Sequence, residues 1–133
     1  MEVRHTSRRA KGNSFEYDCE ASLKQVFPHI RVTERRGFAR GFDLISDEEK
    51  MVVECKNHAS FSWNELVRLH QKLEKNAPDG YTTYLIFHAN RSPVLVMLSG
   101  EISPEHVVCT FQCLFSKPWV KHEPVKRKGG VER

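Results

Sequence analysis

Residues 41–57 read GFDLISDEEKMVVECKN. Two apolar arms, GFDLI and MVVECK, flank a polar stretch from Ser46 to Lys50, which is the pattern of a β-hairpin. With the turn centred on Glu48 and Glu49, symmetric pairing sets Asp47 across from Lys50, Ile45 across from Met51 or Val52, and Asp43 across from Glu54. Side chains alternate along a strand, so Glu54 and Lys56 share Asp43's face while Val53 and Cys55 point to the other. Like charges directly opposite, with Cβ atoms about 5 Å apart, destabilise a sheet. A divalent cation removes the conflict. Mg²⁺ prefers hard oxygen ligands, keeps several waters, and is commonly held by one or two carboxylates together with a substrate phosphate. A neighbouring lysine suits the charge that gathers on a phosphorane. Two acids and a lysine on one face therefore point to phosphodiester hydrolysis. The competing reading is an exposed edge strand with Glu54 and Lys56 as a surface ion pair of little energetic weight. A one-residue register slip would also part the faces.

Outward from the hairpin, SFEYDCEASLKQVF at 14–27 places Phe15, Cys19, Leu23, Val26 and Phe27 at helical spacing, and Pro28 ends the pattern. Asn13 suits the N-cap, with Glu16 in the capping-box position. HIRVTE at 29–34 predicts a short strand, followed by an arginine-rich loop with Arg35, Arg36 and Arg40. A second helix is expected from Ser62, with Glu65 three residues on and Leu66, Leu69 and Leu73 on one face; NAPDG at 76–80 stops it. YTTYLIFHAN and PVLVML predict two more strands. SPEH at 103–106 is expected to begin a helical turn, residues 107–115 a strand, and the lysine-rich end after Pro118 to be extended or disordered. Helix, three strands, helix and two strands predict an α/β sandwich around a mixed sheet.

The 133 residues suit one domain: a basic arm over 1–11, a core over 12–116 and a basic tail over 117–133. Residues 1–11 hold Arg4, Arg8, Arg9 and Lys11 against Glu2, and 117–133 hold six Lys or Arg against Glu123 and Glu132. Both ends are net positive around a net-negative middle, a distribution suited to a polyanionic partner. No apolar run is long enough for a membrane span and no apolar leader pattern opens the sequence, so the expectation is a cytoplasmic, intracellular protein with no membrane partner. The four cysteines, at 19, 55, 109 and 113, are then expected to be buried thiols. His106, Cys109, Cys113 and His122 match no standard zinc spacing.

Gly41-Phe42-Asp43, ten intervening residues, and Glu54-Cys55-Lys56 together resemble the PD-(D/E)XK nuclease motif. The upstream run Lys11-Gly12-Asn13-Ser14-Phe15-Glu16 looks like the first-helix glutamate signature of the archaeal Holliday-junction resolvases in that superfamily. The resemblance covers about residues 8–100 and implies a restriction-endonuclease-like αβββαβ core. It implies Mg²⁺ or Mn²⁺ on Asp43, Glu54 and the Cys55 backbone carbonyl, Glu16 as the remaining acid, and Lys56 as the catalytic lysine. It also implies DNA contacts from Arg8, Arg9 and Lys11, to which the loop arginines 35, 36 and 40 are added as DNA-binding candidates. The activity expected from it is a structure-specific endodeoxyribonuclease acting on branched DNA as a homodimer. A nicking, restriction or repair nuclease, or a DNA-binding module that no longer cleaves, stands as the alternative. Phe42 replaces the motif's proline, and the loop TERRGFARG lacks the serine that archaeal resolvases often carry there.

Overall fold

The computed structural model describes residues 14–33, 41–99 and 105–123. Helix α1 runs over 14–24 and is followed by β1 (Arg31–Val32), β2 (Leu44–Ser46) and β3 (Met51–Asn57). Then come α2 (Trp63–Asn76), β4 (Thr82–His88), β5 (Leu95–Ser99), β6 (His106–Thr110) and the short α3 (Phe111–Phe115). The six strands lie side by side in chain order. Every neighbouring pair is antiparallel except β3 and β4, which run parallel. A parallel pair needs a crossover, and α2 supplies it. The chain is thus an α/β fold with a mixed six-stranded sheet flanked by helices.

Strand alternation divides the core between two faces. Met51, Val53 and Cys55 of β3, Leu44, Ile86 and Val96 meet Phe15, Cys19 and Leu23 of α1 together with Phe111 of α3. On the opposite face Ile45 and Val52 meet Leu73 of α2, and Leu85, Phe87 and Met97 meet Leu66. The first three residues of β3 are buried on both sides, which is why they read as the continuous apolar run MVV.

Local signals explain the boundaries. Ser62 Oγ accepts from the Glu65 N–H at 3.1 Å and caps α2 as its sequence predicts. Helix α1 stops two to three residues short of its apolar periodicity; after residue 24 the chain turns, with Val26 and Phe27 both donating to the Leu23 carbonyl. The strand expected over 107–115 is divided, because Thr110 Oγ1 accepts from the Cys113 N–H at 3.1 Å and starts α3. His106, expected in a helical turn, is instead the first residue of β6, where it pairs with Ser99. The cysteines also divide: Cys19 and Cys55 are buried, Cys109 is half-buried and Cys113 is exposed, all as free thiols.

Residues after α3 form an ordered strap across α1. Ser22 Oγ both donates to the Val120 carbonyl and accepts its N–H, each at 2.9 Å. Gln25 Nε2 donates to the Pro118 carbonyl at 2.7 Å, and Asp18 Oδ1 accepts from the His122 N–H at 2.8 Å. Trp119 tucks its ring against Phe15 and Phe111.

Truncating Leu23, fully buried between α1 and the sheet, is expected to cost about 3 kcal/mol, the usual range for a large-to-small core change. Gly41→Ala should cost about 1–2 kcal/mol from its left-handed backbone alone. Gly41 has φ +80°, and an added Cβ would also collide with the Asn76 side chain. Urea denaturation of both variants checks these values, and an unchanged midpoint for either would contradict the packing described.

Candidate metal and phosphodiester site

The β2–β3 register is Leu44 with Val53, Ile45 with Val52 and Ser46 with Met51. One further step brings Asp43 beside Glu54, in agreement with symmetric pairing about the turn. Asp43 lies just before β2, and its backbone continues the contact by donating to the Val53 carbonyl at 2.9 Å. Its carbonyl accepts from the Thr33 N–H at 2.8 Å, tying the same residue to β1. Its side chain then replaces a ladder partner: Asp43 Oδ2 accepts from the Cys55 N–H at 2.9 Å. The residue is therefore held by two backbone bonds and its carboxylate by a third.

Glu54 and Lys56 stand two residues apart on β3, on the face of Val52, and their charged ends are 3.5 Å apart. The Glu54 side chain is only 19% exposed and the Lys56 side chain 31%. Burial, then a hydrogen bond to Asp43 and the negative charge of that neighbour, push the Glu54 carboxyl up to about 8; Lys56 pulls the other way without prevailing. The Glu54 carboxyl consequently keeps its proton near neutral pH. A hard cation held by these two carboxyl groups would take the proton's place and leave both charged. The donor set fits Mg²⁺ or Mn²⁺: two carboxylates on adjacent strands, with the Cys55 carbonyl as the additional oxygen.

Glu16 lies on α1, close enough to the Cys19 and Cys55 thiols that its charge helps to raise both, after the larger effect of their burial. It thus stands over the same stretch of β3 from the α1 side. Among the described residues, the set of three ligand atoms lying within 4.8 Å of one another is elsewhere, at His70, Glu74 and His106. Glu16 is therefore not gathered into one ligand set with Asp43 and Glu54, since α1 covers the face of Val53 and Cys55 while Glu54 and Lys56 lie on the face of Val52. The sequence candidates Arg8, Arg9, Lys11, Arg35, Arg36 and Arg40, and the N-cap Asn13, lie outside the described residues.

Immediately past Lys56, the ends of β3 and β4 open into a cleft of about 580 Å³ whose lining includes Ser14, Asn57, His58, His88, Trp119 and Lys121. The parallel pair of strands thus delivers its last residues, Asn57 and His88, to one rim, and Nδ1 of His88 meets Oδ1 of Asn57 at 3.3 Å. The strap supplies Trp119 and Lys121 to the same cleft. None of these lining residues stands out in the sequence, because the strap reaches the cleft only through its bonds to α1.

No family model, no curated protein and no solved structure matches the chain. The reading of the site rests on its own residues and geometry. No helix among the described residues is long and apolar enough to cross a membrane.

The raised Glu54 carboxyl makes a pH signature. Glu54 keeps its proton in the folded protein up to about 8 but releases it near 4.5 when exposed. Between those values the unfolded state binds fewer protons, so stability falls as pH rises. In EDTA, thermal unfolding followed from pH 5 to 8.5 should show the melting temperature dropping by several degrees. Glu54→Gln should flatten that slope and melt higher than the parent at pH 8; an identical slope would contradict the raised Glu54 carboxyl.

Proposed function

We propose that the chain is a metal-dependent endodeoxyribonuclease of the PD-(D/E)XK type, with a restriction-endonuclease-like core, cutting branched DNA such as a four-way junction. The observation that carries this reading is the apposition of Asp43 and Glu54 across β2 and β3 with Lys56 two residues further along the same face. The element order supports it as well, since a helix, three strands, a crossover helix and a strand are the parts the motif requires.

Asp43, Glu54 and the Cys55 carbonyl would hold Mg²⁺ or Mn²⁺, which when bound polarises the scissile phosphate and acidifies a water. The protein's own residues do the rest. Asp43 is held by the Cys55 N–H, so its free carboxylate oxygen has a fixed direction. Lys56 is paired with Glu54 and half-sheltered from solvent, which positions its ammonium to orient the attacking water and to meet the charge developing on the phosphorane. Glu16 on α1 would be the remaining acid of the motif. The cleft beyond Asn57, with His58, His88 and Lys121 as donors and Trp119 as a stacking ring, suits the nucleotide next to the cut. The basic arm and tail supply contacts along the phosphate backbone. Resolving a junction needs two symmetric cuts, so the active form is a C2 homodimer.

A labelled four-way junction and a matched linear duplex, incubated with Mg²⁺ or with EDTA, test the reading. Paired symmetric nicks in the junction, abolished by EDTA and by Asp43→Asn, are expected. Lys56→Ala should slow cutting on the order of 100-fold or more, the loss typical of removing one preorganised transition-state donor. Metal-dependent cutting of both substrates would instead place the chain among the general nucleases of the superfamily. Binding without cutting in any metal would overturn the enzyme.

A further inference from the structure

The side of the sheet covered by α2 carries a second group of metal-ligating atoms that the nuclease reading does not use. His70 lies on the apolar stripe of α2 between Leu66 and Leu73 and is fully buried. Its Nδ1 is 2.7 Å from Nδ1 of His106 on the edge strand β6 and 3.8 Å from Oε1 of Glu74, one helical turn along α2. All three atoms lie within 4.8 Å of one another.

The outer partners of these residues explain why the three atoms converge. His70 Nε2 is 3.1 Å from the Thr83 hydroxyl on β4, so this ring nitrogen is engaged and Nδ1 is left facing His106. Ser99 Oγ donates to Glu74 Oε2 at 2.7 Å, leaving Oε1 directed at His70. Ser99 is also the register partner of His106, so the serine that orients the carboxylate and the second imidazole are delivered by the same strand pairing. Metal-binding histidines and carboxylates are ordinarily oriented in this way, by a hydrogen bond from the atom that does not ligate. A hydrogen bond between two neutral imidazoles would account for the short nitrogen contact alone. It does not require a carboxylate aimed at the same point and held there by its own serine.

We propose that His70, Glu74 and His106 form a metal centre for a borderline divalent transition ion of the Zn²⁺ class, which clamps α2 to the outer strand β6. Two imidazoles and one carboxylate are a three-ligand set suited to such an ion and poor for Mg²⁺. Ligation needs His106 to carry its proton on Nε2, leaving both Nδ1 atoms free to bind. It also needs the two nitrogens to part from 2.7 Å. Tetrahedral zinc sets them roughly 3.3 Å apart, a movement within reach of a side chain on an edge strand. The Glu74 side chain is 38% exposed, so a water completes the coordination from the solvent side. Burial holds His70 neutral, the form that ligates. The centre shares no residue with the carboxylate site: its ligands lie on α2 and β6, and those of the carboxylate site on the β2–β3 hairpin.

The test uses the full chain stripped of metal and titrated with Zn²⁺ against a chromophoric chelator, and with Co²⁺ as a spectroscopic probe. One equivalent of Zn²⁺ should bind and raise the melting temperature. Ser99→Ala should weaken binding about tenfold, and His106→Ala on the order of 100-fold. Glu74→Gln, a surface change that conserves shape, should weaken it clearly while the apo protein keeps its circular dichroism spectrum. An Asp43→Asn/Glu54→Gln double variant should bind Zn²⁺ as the parent does, which separates this centre from the proposed nuclease ion. Failure of the parent to bind Zn²⁺ would overturn the proposal. So would binding that survives both His106→Ala and Glu74→Gln, or a cobalt spectrum with thiolate charge transfer, which would assign the ion to the cysteines.

Discussion

The pairing of β2 with β3 is the constraint on which the rest of the molecule depends. Leu44 must face α1 and Ile45 must face α2, because each is completely or nearly completely buried in a different half of the core. Sliding the hairpin by one residue would exchange those faces and put two aliphatic side chains into the wrong layer. The same slide would separate Asp43 from Glu54. The apolar core thus holds two carboxyl groups together, with the Cys55 N–H on Asp43, and with the Glu54 carboxyl pushed up by burial and by Asp43 and paired with Lys56. Hydrophobic burial fixes the geometry, and the raised Glu54 carboxyl is its electrostatic consequence.

The two helices divide the labour. Helix α1 covers the face on which Cys19 and Cys55 lie and brings Glu16 near β3. Helix α2 makes the parallel pairing of β3 and β4 possible and, at its C-terminal end, brings Asn76 against Gly41. Because Gly41 precedes Asp43 by two residues, the crossover helix also braces the entry of the hairpin. The tight fit there requires a residue without a side chain, and the positive φ independently favours glycine.

The hairpin was legible in the sequence because two apolar arms, buried on both faces at LIS and MVV, flank a polar turn, and because Ser62 and Glu65 mark the start of α2 at a spacing that only a helix uses. Other features depend on information that is not local. Thr110 is as acceptable in a strand as at a helix start, so VVCTFQCLF does not disclose where β6 gives way to α3. His70 sits on an apolar helix stripe, where a histidine at that spacing is the one visible hint, but its partner His106 lies 36 residues away on a strand. No periodicity links the two. The raised carboxyl of Glu54 likewise depends on how deeply β3 is covered, a quantity that its sequence neighbours do not fix.

The strap formed by residues 116–123 bears on how the chain comes together. Ser22 is completely buried, and its hydroxyl meets the backbone of Val120, 98 positions later in the chain. During synthesis α1 is made 98 positions ahead of its Val120 partner, so its outer surface lacks this cover until the strap has emerged. The early helix must therefore wait with a buried hydroxyl, the Phe15 ring and the Asp18 carboxylate still open to water or to a chaperone. Closure of the strap is a late, long-loop event that converts an assembled sheet into the finished cleft.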